Sequence, residues 1–71
     1  MEIRQTFARN LRRMRQAKGL SQEELAYKAE IDRTYVSSLE RAVYSPTIEV
    51  VDKLAKALGT DAAELLKQFS Q

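Results

Sequence analysis

Apolar side chains along this chain return every three or four positions, not every second one, and each such stretch stops at a glycine, a proline or a capping residue. Ile3, Phe7, Leu11, Met14 and Arg15 trace one face of a helix over about residues 2–18. Lys18 then Gly19 ends it, a cation in the last turn followed by a residue free to adopt positive φ. Ser21-Gln22-Glu23-Glu24 has the spacing of a capping box and starts a second helix, about 22–29, that buries Leu25, Ala26 and Ala29. Ile31 falls in a tight connection, and Asp32 caps a third helix over about 33–41 with Val36 and Leu39 inward. Ser45-Pro46-Thr47 is the next break, because proline disfavours helix at Ser45 and Thr47 can cap a new helix start. Ile48, Val51, Leu54, Ala55 and Leu58 line a fourth helix over about 48–58, ended by Gly59. Asp61 with Glu64 repeats the cap-plus-Glu spacing before a fifth, about 62–69, carrying Leu65, Leu66 and Phe69. No segment alternates apolar and polar residues for long. Residues 1–71 therefore read as one compact all-α domain of five helices.

Composition removes whole classes of function. A chain of 71 residues supports one small core, and 44% apolar with 31% charged residues is globular composition. No apolar run approaches the ~20 residues of a bilayer span. The opening MEIRQTFARNLRR lacks the continuous apolar stretch of a secretory signal, so a cytoplasmic location without membrane attachment is expected. The absence of cysteine and histidine removes disulfides, thiolate metal sites and imidazole chemistry. No metal, cofactor, small-molecule ligand or catalysis is expected from so thin a domain. The net charge is only +2, yet residues 1–18 hold Arg4, Arg9, Arg12, Arg13, Arg15 and Lys18 against Glu2 alone. That asymmetry suits a polyanionic partner, although a solvated helix face explains it too.

The second and third helices are separated by only about three residues, near Glu30-Ile31-Asp32. Helices that short and that tightly joined must cross steeply, as in a helix-turn-helix whose second helix enters the DNA major groove. The outward positions of the third helix are Arg33, Thr34, Ser37 and Ser38. Small hydroxyls allow close approach to base edges, and Arg33 at the N-terminal end can bond guanine O6 and N7 together.

The segment Leu11 to Leu66, LRRMRQAKGLSQEELAYKAEIDRTYVSSLE followed by SPTIEVVDKLAKALGTDAAELL, resembles the Cro/repressor-type, or XRE-family, helix-turn-helix domains of lambda-repressor-like fold. Within that family, QEELAYKA and DRTYVSSLER most resemble the restriction–modification controller proteins, small dimers that bind their own promoter. The resemblance implies base contacts from Arg33, Thr34 and Ser38. It implies a phosphate grip by Gln22, at a helix N-terminus that is itself an anion site. Tyr35 and Ser37 match positions at the groove edge, although partial burial of Tyr35 against the first helix is an equal reading. Arg41, Tyr44, Ser45 and Thr47 match the segment that follows the neighbouring backbone, where ordinary turn chemistry is the alternative. Arg15 and Glu40 match an ion pair that holds the third helix at its angle. Glu23 matches a position that touches the RNA polymerase sigma factor in activating relatives, though the helix dipole alone explains an acid there.

Two positions depart from the family pattern. Glu30 and Ala42 stand where relatives usually carry glycine, so either about 1 kcal/mol of strain is stored at positive φ or the turns are reshaped. Relatives act as two-fold dimers on double-stranded DNA, and a chain this short must build that homodimer from its last two helices. Val50, Ala57, Ala62, Leu66 and Phe69 are the apolar residues left over for it, unless Phe69 folds back over Ile3 and Phe7. The reading is thus a dimeric, sequence-specific transcriptional regulator of a near-palindromic operator. The alternative is a protein-interaction module, such as an antitoxin or an antagonist of a partner regulator. The third helix separates the two, since a masking module is free to lose Arg33 and to place acids at 34, 37 or 38.

Overall fold

Capping chemistry and two-faced helices together dictate the architecture seen in a computed structural model, which describes residues 2–68. The elements are α1 (Ile3–Ala17), α2 (Gln22–Ala29), α3 (Arg33–Glu40), α4 (Ile48–Ala57) and α5 (Ala62–Leu66), with no strand among the described residues. Each expected helix is present with its start in register. The Ser21–Glu24 capping box closes in both directions, Glu24 N–H to Ser21 Oγ at 3.0 Å and Ser21 N–H to Glu24 Oε1 at 2.8 Å. Asp32 accepts from the Thr34 amide at 2.8 Å, and Thr47 accepts from the Val50 amide at 3.2 Å.

The first four helices also end alike. Gly19 and Leu20 donate to the carbonyls of Gln16 and Arg15, and Gly59 and Thr60 to those of Lys56 and Ala55. The same reversed pair closes α2, from Glu30 to Tyr27 and from Ile31 to Ala26, and α3, from Ala42 to Leu39 and from Val43 to Ser38. This motif requires a left-handed residue just past the helix. Glycine supplies it after α1 and α4, whereas Glu30 (φ 59°) and Ala42 (φ 60°) are forced into it on either side of α3. The strained alternative, not the reshaped turn, is the one adopted.

Inside, α1 packs on α3 and α5, α2 on α3 and α4, and α4 on α5. Phe7, Leu11, Leu25, Val36, Leu39, Leu54, Leu58 and Leu65 fill the centre, with alanines at 26, 29 and 55 where helices approach closely. Two expected core members are outside it: Ile3 is 54% and Ile48 82% exposed. Both are the first residue of a helix, and a helical side chain leans towards the N-terminus, so each projects past the end of its own helix.

The fifth helix is shorter than the expected 62–69, ending at Leu66 with Lys67 already extended. Asp61 makes no side-chain cap, and Glu64 instead pairs with Lys67 Nζ at 3.0 Å. The buried Asn10 of α1 takes over the end of the element, its Nδ2 donating to the carbonyls of Leu65 (2.9 Å) and Lys67 (2.7 Å). Asn10 thereby satisfies carbonyls that the end of the helix leaves without an intrahelical partner. Phe69 lies outside the described residues.

The left-handed joints give a direct expectation. Glu30→Gly and Ala42→Gly should each relieve about 1 kcal/mol, raising Tm by about 4–8 °C in a domain this small. Calorimetry showing either variant to be less stable would mean that the joint carries no strain.

Candidate nucleic-acid interface

The short connection of Glu30, Ile31 and Asp32 joins α2 to α3, which pack on each other, and burial of Val36 and Leu39 fixes which face α3 turns outward. On that outer face Arg33 and Thr34 are exposed, while Tyr35, Ser37 and Ser38 are half-buried. No acid stands at 34, 37 or 38. Asp32 is engaged as the cap and also accepts from the Thr34 hydroxyl. Those bonds, from the Thr34 side chain first and its amide second, hold the Asp32 carboxyl below the usual carboxylate range. With its hydroxyl proton given to Asp32, Thr34 retains its methyl group and the acceptor lone pairs of its hydroxyl oxygen for contact.

A buried polar node holds the base of α3. Arg15 Nε and Nη2 reach the two carboxylate oxygens of Glu40 at 2.6 and 3.0 Å. The remaining Nη1 donates to the Leu20 carbonyl at 2.8 Å, and the Gln22 side-chain amide donates to Glu40 Oε1 at 3.1 Å. The side chains of Arg15 and Glu40 are only 12% and 4% exposed. The hydrogen bonds that Arg15 donates to Glu40 raise the Arg15 pKa against the opposing effect of burial, so the guanidinium stays charged. One node therefore ties together α1, the α1–α2 turn, α2 and α3. The ion pair expected of Arg15 and Glu40 is formed, and Gln22 is bound into the same network at the first position of α2.

Beyond α3 the chain stays beside it. Tyr35 and Tyr44 stack with ring centroids 6.4 Å apart and planes tilted by 58°, a pairing worth about 0.5–1.5 kcal/mol. It ties the 41–47 connection to the outer helix, with Arg41, Tyr44, Ser45 and Thr47 exposed along it. Tyr35 is half-buried, packed against the core and beside Tyr44. Glu23 is exposed on α2, on a shallow surface shared with Leu20, Tyr27 and Lys28.

Val50, Ala57 and Ala62 are packed partly against the core, while Leu66 is 41% exposed. Leu66 shares a cleft of about 160 Å³ with Ile3, Pro46 and Ile48. The helical phase of Ile3 and Ile48 matches the core face, and only their position at helix ends takes them out. Among the described residues, no group of acids fit to hold a metal occurs, and no helix is long and apolar enough to cross a membrane.

Comparison with known proteins places this geometry. The helix-turn-helix family model (HTH_3) matches residues 11–65. A hypothetical transcription factor from Neisseria meningitidis is 45% identical over 65 residues, covering 92% of this chain and 61% of that protein. The chain thus spans less than two thirds of that relative. Control protein C.SmaI of Serratia marcescens is 41% identical over 66 residues, covering 93% of this chain and 79% of that one. The crystal structure of the restriction–modification controller protein C.AhdI from Aeromonas hydrophila superposes with a TM-score of 0.85 at 42% identity, covering 87% of this chain and 94% of that one.

Removing one partner of the node should be severe. Glu40→Ala leaves a buried guanidinium unpaired and should lower unfolding free energy by about 3–5 kcal/mol in denaturant titration. A loss below about 1 kcal/mol would put the pair in the class of solvent-screened surface bridges.

Proposed function

The chain belongs to the helix-turn-helix family of transcription regulators and is related to the restriction–modification controller proteins, and from that premise we propose that it works as a two-fold dimer reading a near-palindromic operator through α3. The observation that carries this is the outer face of α3: an exposed Arg33 and Thr34 at its N-terminal end, short hydroxyls behind them, and no acid facing out. Arg33 takes guanine O6 and N7, the Thr34 methyl meets a thymine methyl, and Ser38 bonds a neighbouring base edge. Gln22 and the start of α2 grip one phosphate backbone. Tyr35, Ser37, Arg41, Tyr44, Ser45 and Thr47 follow the groove edge and the other backbone. Arg15 and Glu40 set the angle of α3. The work is on DNA in the cytoplasm, by occluding a promoter or, where Glu23 meets the polymerase sigma factor, by recruiting it.

One half-site offers little selectivity, and two related by a dyad about one DNA turn apart offer enough. The exposed apolar residues Ile3, Ile48 and Leu66 gather around one cleft, and this is the surface that a second copy covers, with Val50 and Ala62 behind it. Ile48→Asp tests it cleanly, since an acid in the first turn of α4 is favourable for the helix. Sedimentation should show the variant monomeric at low micromolar concentration with its fold retained, and an unchanged dimer would place the interface elsewhere.

Base reading is tested by selecting bound duplexes from a random pool with the parent chain and with Arg33→Ala. The expected result is a symmetric consensus with guanine in each half-site, its preference relaxed by about 1–3 kcal/mol in the variant. Binding without a consensus, lost in modest salt, would reduce the protein to phosphate attraction and favour the partner-masking module.

A further inference from the structure

The basic residues of α1 do not all serve the Arg15 node. Arg9, Arg12 and Arg13 line a second surface, a shallow cleft of about 470 Å³ between α1 and the end of α3, which Gln16, Glu40 and Arg41 also border. Four guanidinium groups around one concavity repel each other and concentrate a positive field there. The acid at the cleft, Glu40, has both its oxygens turned to Arg15 and so offsets little of that charge. The other acids stand away from it. Glu2 caps the start of α1 and pairs with Arg4, Asp32 caps the opposite end of α3, and Glu30 lies in the α2–α3 joint. Glu23 and Glu24 are on α2, Glu49 and Asp52 on α4, and Asp61 and Glu64 at α5. The net charge of +2 therefore hides a molecule with one basic side.

Position identifies what that side meets. An eight-residue helix is about 12 Å long, close to the ~12 Å width of the major groove. With its N-terminal residues at the bases, the C-terminal end of α3 comes out at the rim, where a phosphate backbone runs. Arg41 is the residue at that end, and the cleft opens beside it. Guanidinium groups suit phosphate oxygens through paired N–H donors, and the Gln16 amide adds a neutral one.

We propose that the α1–α3 cleft seats a phosphodiester group of the duplex outside the bases read by α3, held by Arg9 and Arg12 together with Arg41. It rests on the DNA-reading proposal above, but the contact itself carries no base information. It adds affinity and salt dependence without changing the sequence preferred.

The test uses the full chain and its Arg9→Gln/Arg12→Gln variant, titrated at several salt concentrations on two duplexes of equal length. One duplex comes from the selection and the other has an unrelated sequence. Both substituted residues are exposed on α1, so circular dichroism and Tm should not change. The expected result is weaker binding by the variant on both duplexes, with the log–log salt slope shallower by about 1–2 and the ratio between the duplexes preserved. Trimming the selected duplex to the last base read by α3 should cost the parent chain the same affinity and leave the variant unaffected. Equal slopes for parent and variant on both duplexes would overturn the proposal and leave the cleft to free polyanions or an acidic protein. A shallower slope on the unrelated duplex without any selected consensus would sustain the phosphate seat while refuting base reading. A consensus with equal slopes would do the reverse.

Discussion

The angle of α3 depends on one buried ion pair. The helix has eight residues and sends only Val36 and Leu39 fully into the core, too little apolar grip to fix its rotation and tilt alone. Arg15 and Glu40 supply the rest, because a bidentate guanidinium–carboxylate pair has two parallel bonds and a plane. The third bond, to the Leu20 carbonyl, makes the same guanidinium hold the turn that leads into α2. A buried pair of this kind adds little net stability, since desolvation offsets most of the attraction. What it supplies is geometry: any other tilt of α3 would leave a charge buried without its partner.

The chain joints on either side of α3 work in the opposite sense. The first and fourth helices end with glycine at the left-handed position, whereas α2 and α3 end with Glu30 and Ala42. The same motif is kept at a cost of about 1 kcal/mol each, which matters in a small domain whose whole stability is about 5–15 kcal/mol. The core and the Arg15 node impose those turns on residues that resist them. The recognition element is therefore held from outside, by contacts with α1 and α2, more than by its own local preferences.

The surface divides according to the same frame. The outer face of α3 and the 41–47 connection, joined by the Tyr35–Tyr44 pair, make one continuous polar edge. The arginines of α1 extend that edge on the side where α3 ends. Ile3, Ile48 and Leu66 are exposed around the entry to α4 and the end of α5, while the exposed Val43 and Tyr44 lie within the 41–47 connection and Tyr27 on α2. The longest dimension of the molecule is 30 Å.

The five helices and their starts were legible in the sequence, because periodicity and caps act over three to five residues, as the capping box at Ser21 and the cap at Asp32 show. Resemblance to the family marked Glu30 and Ala42 as replacing glycine, and only the folded backbone decided that both adopt positive φ. Family resemblance added the Arg15–Glu40 pair, which spans 25 positions and which spacing alone made only plausible. Tertiary structure decided the rest. Asn10 falls on the core face of α1, but its bonds to carbonyls 55 and 57 positions away fasten the end of α5 in a way no local rule contains. Ile3 and Ile48 have the phase of core residues and are exposed, because helical phase says which side a residue faces and not whether another element covers it. Arg9 and Arg12 fit a polyanionic partner and a solvated face equally in the sequence, and only packing brings Arg41 alongside them, since a charge acquires its neighbours when the chain is folded.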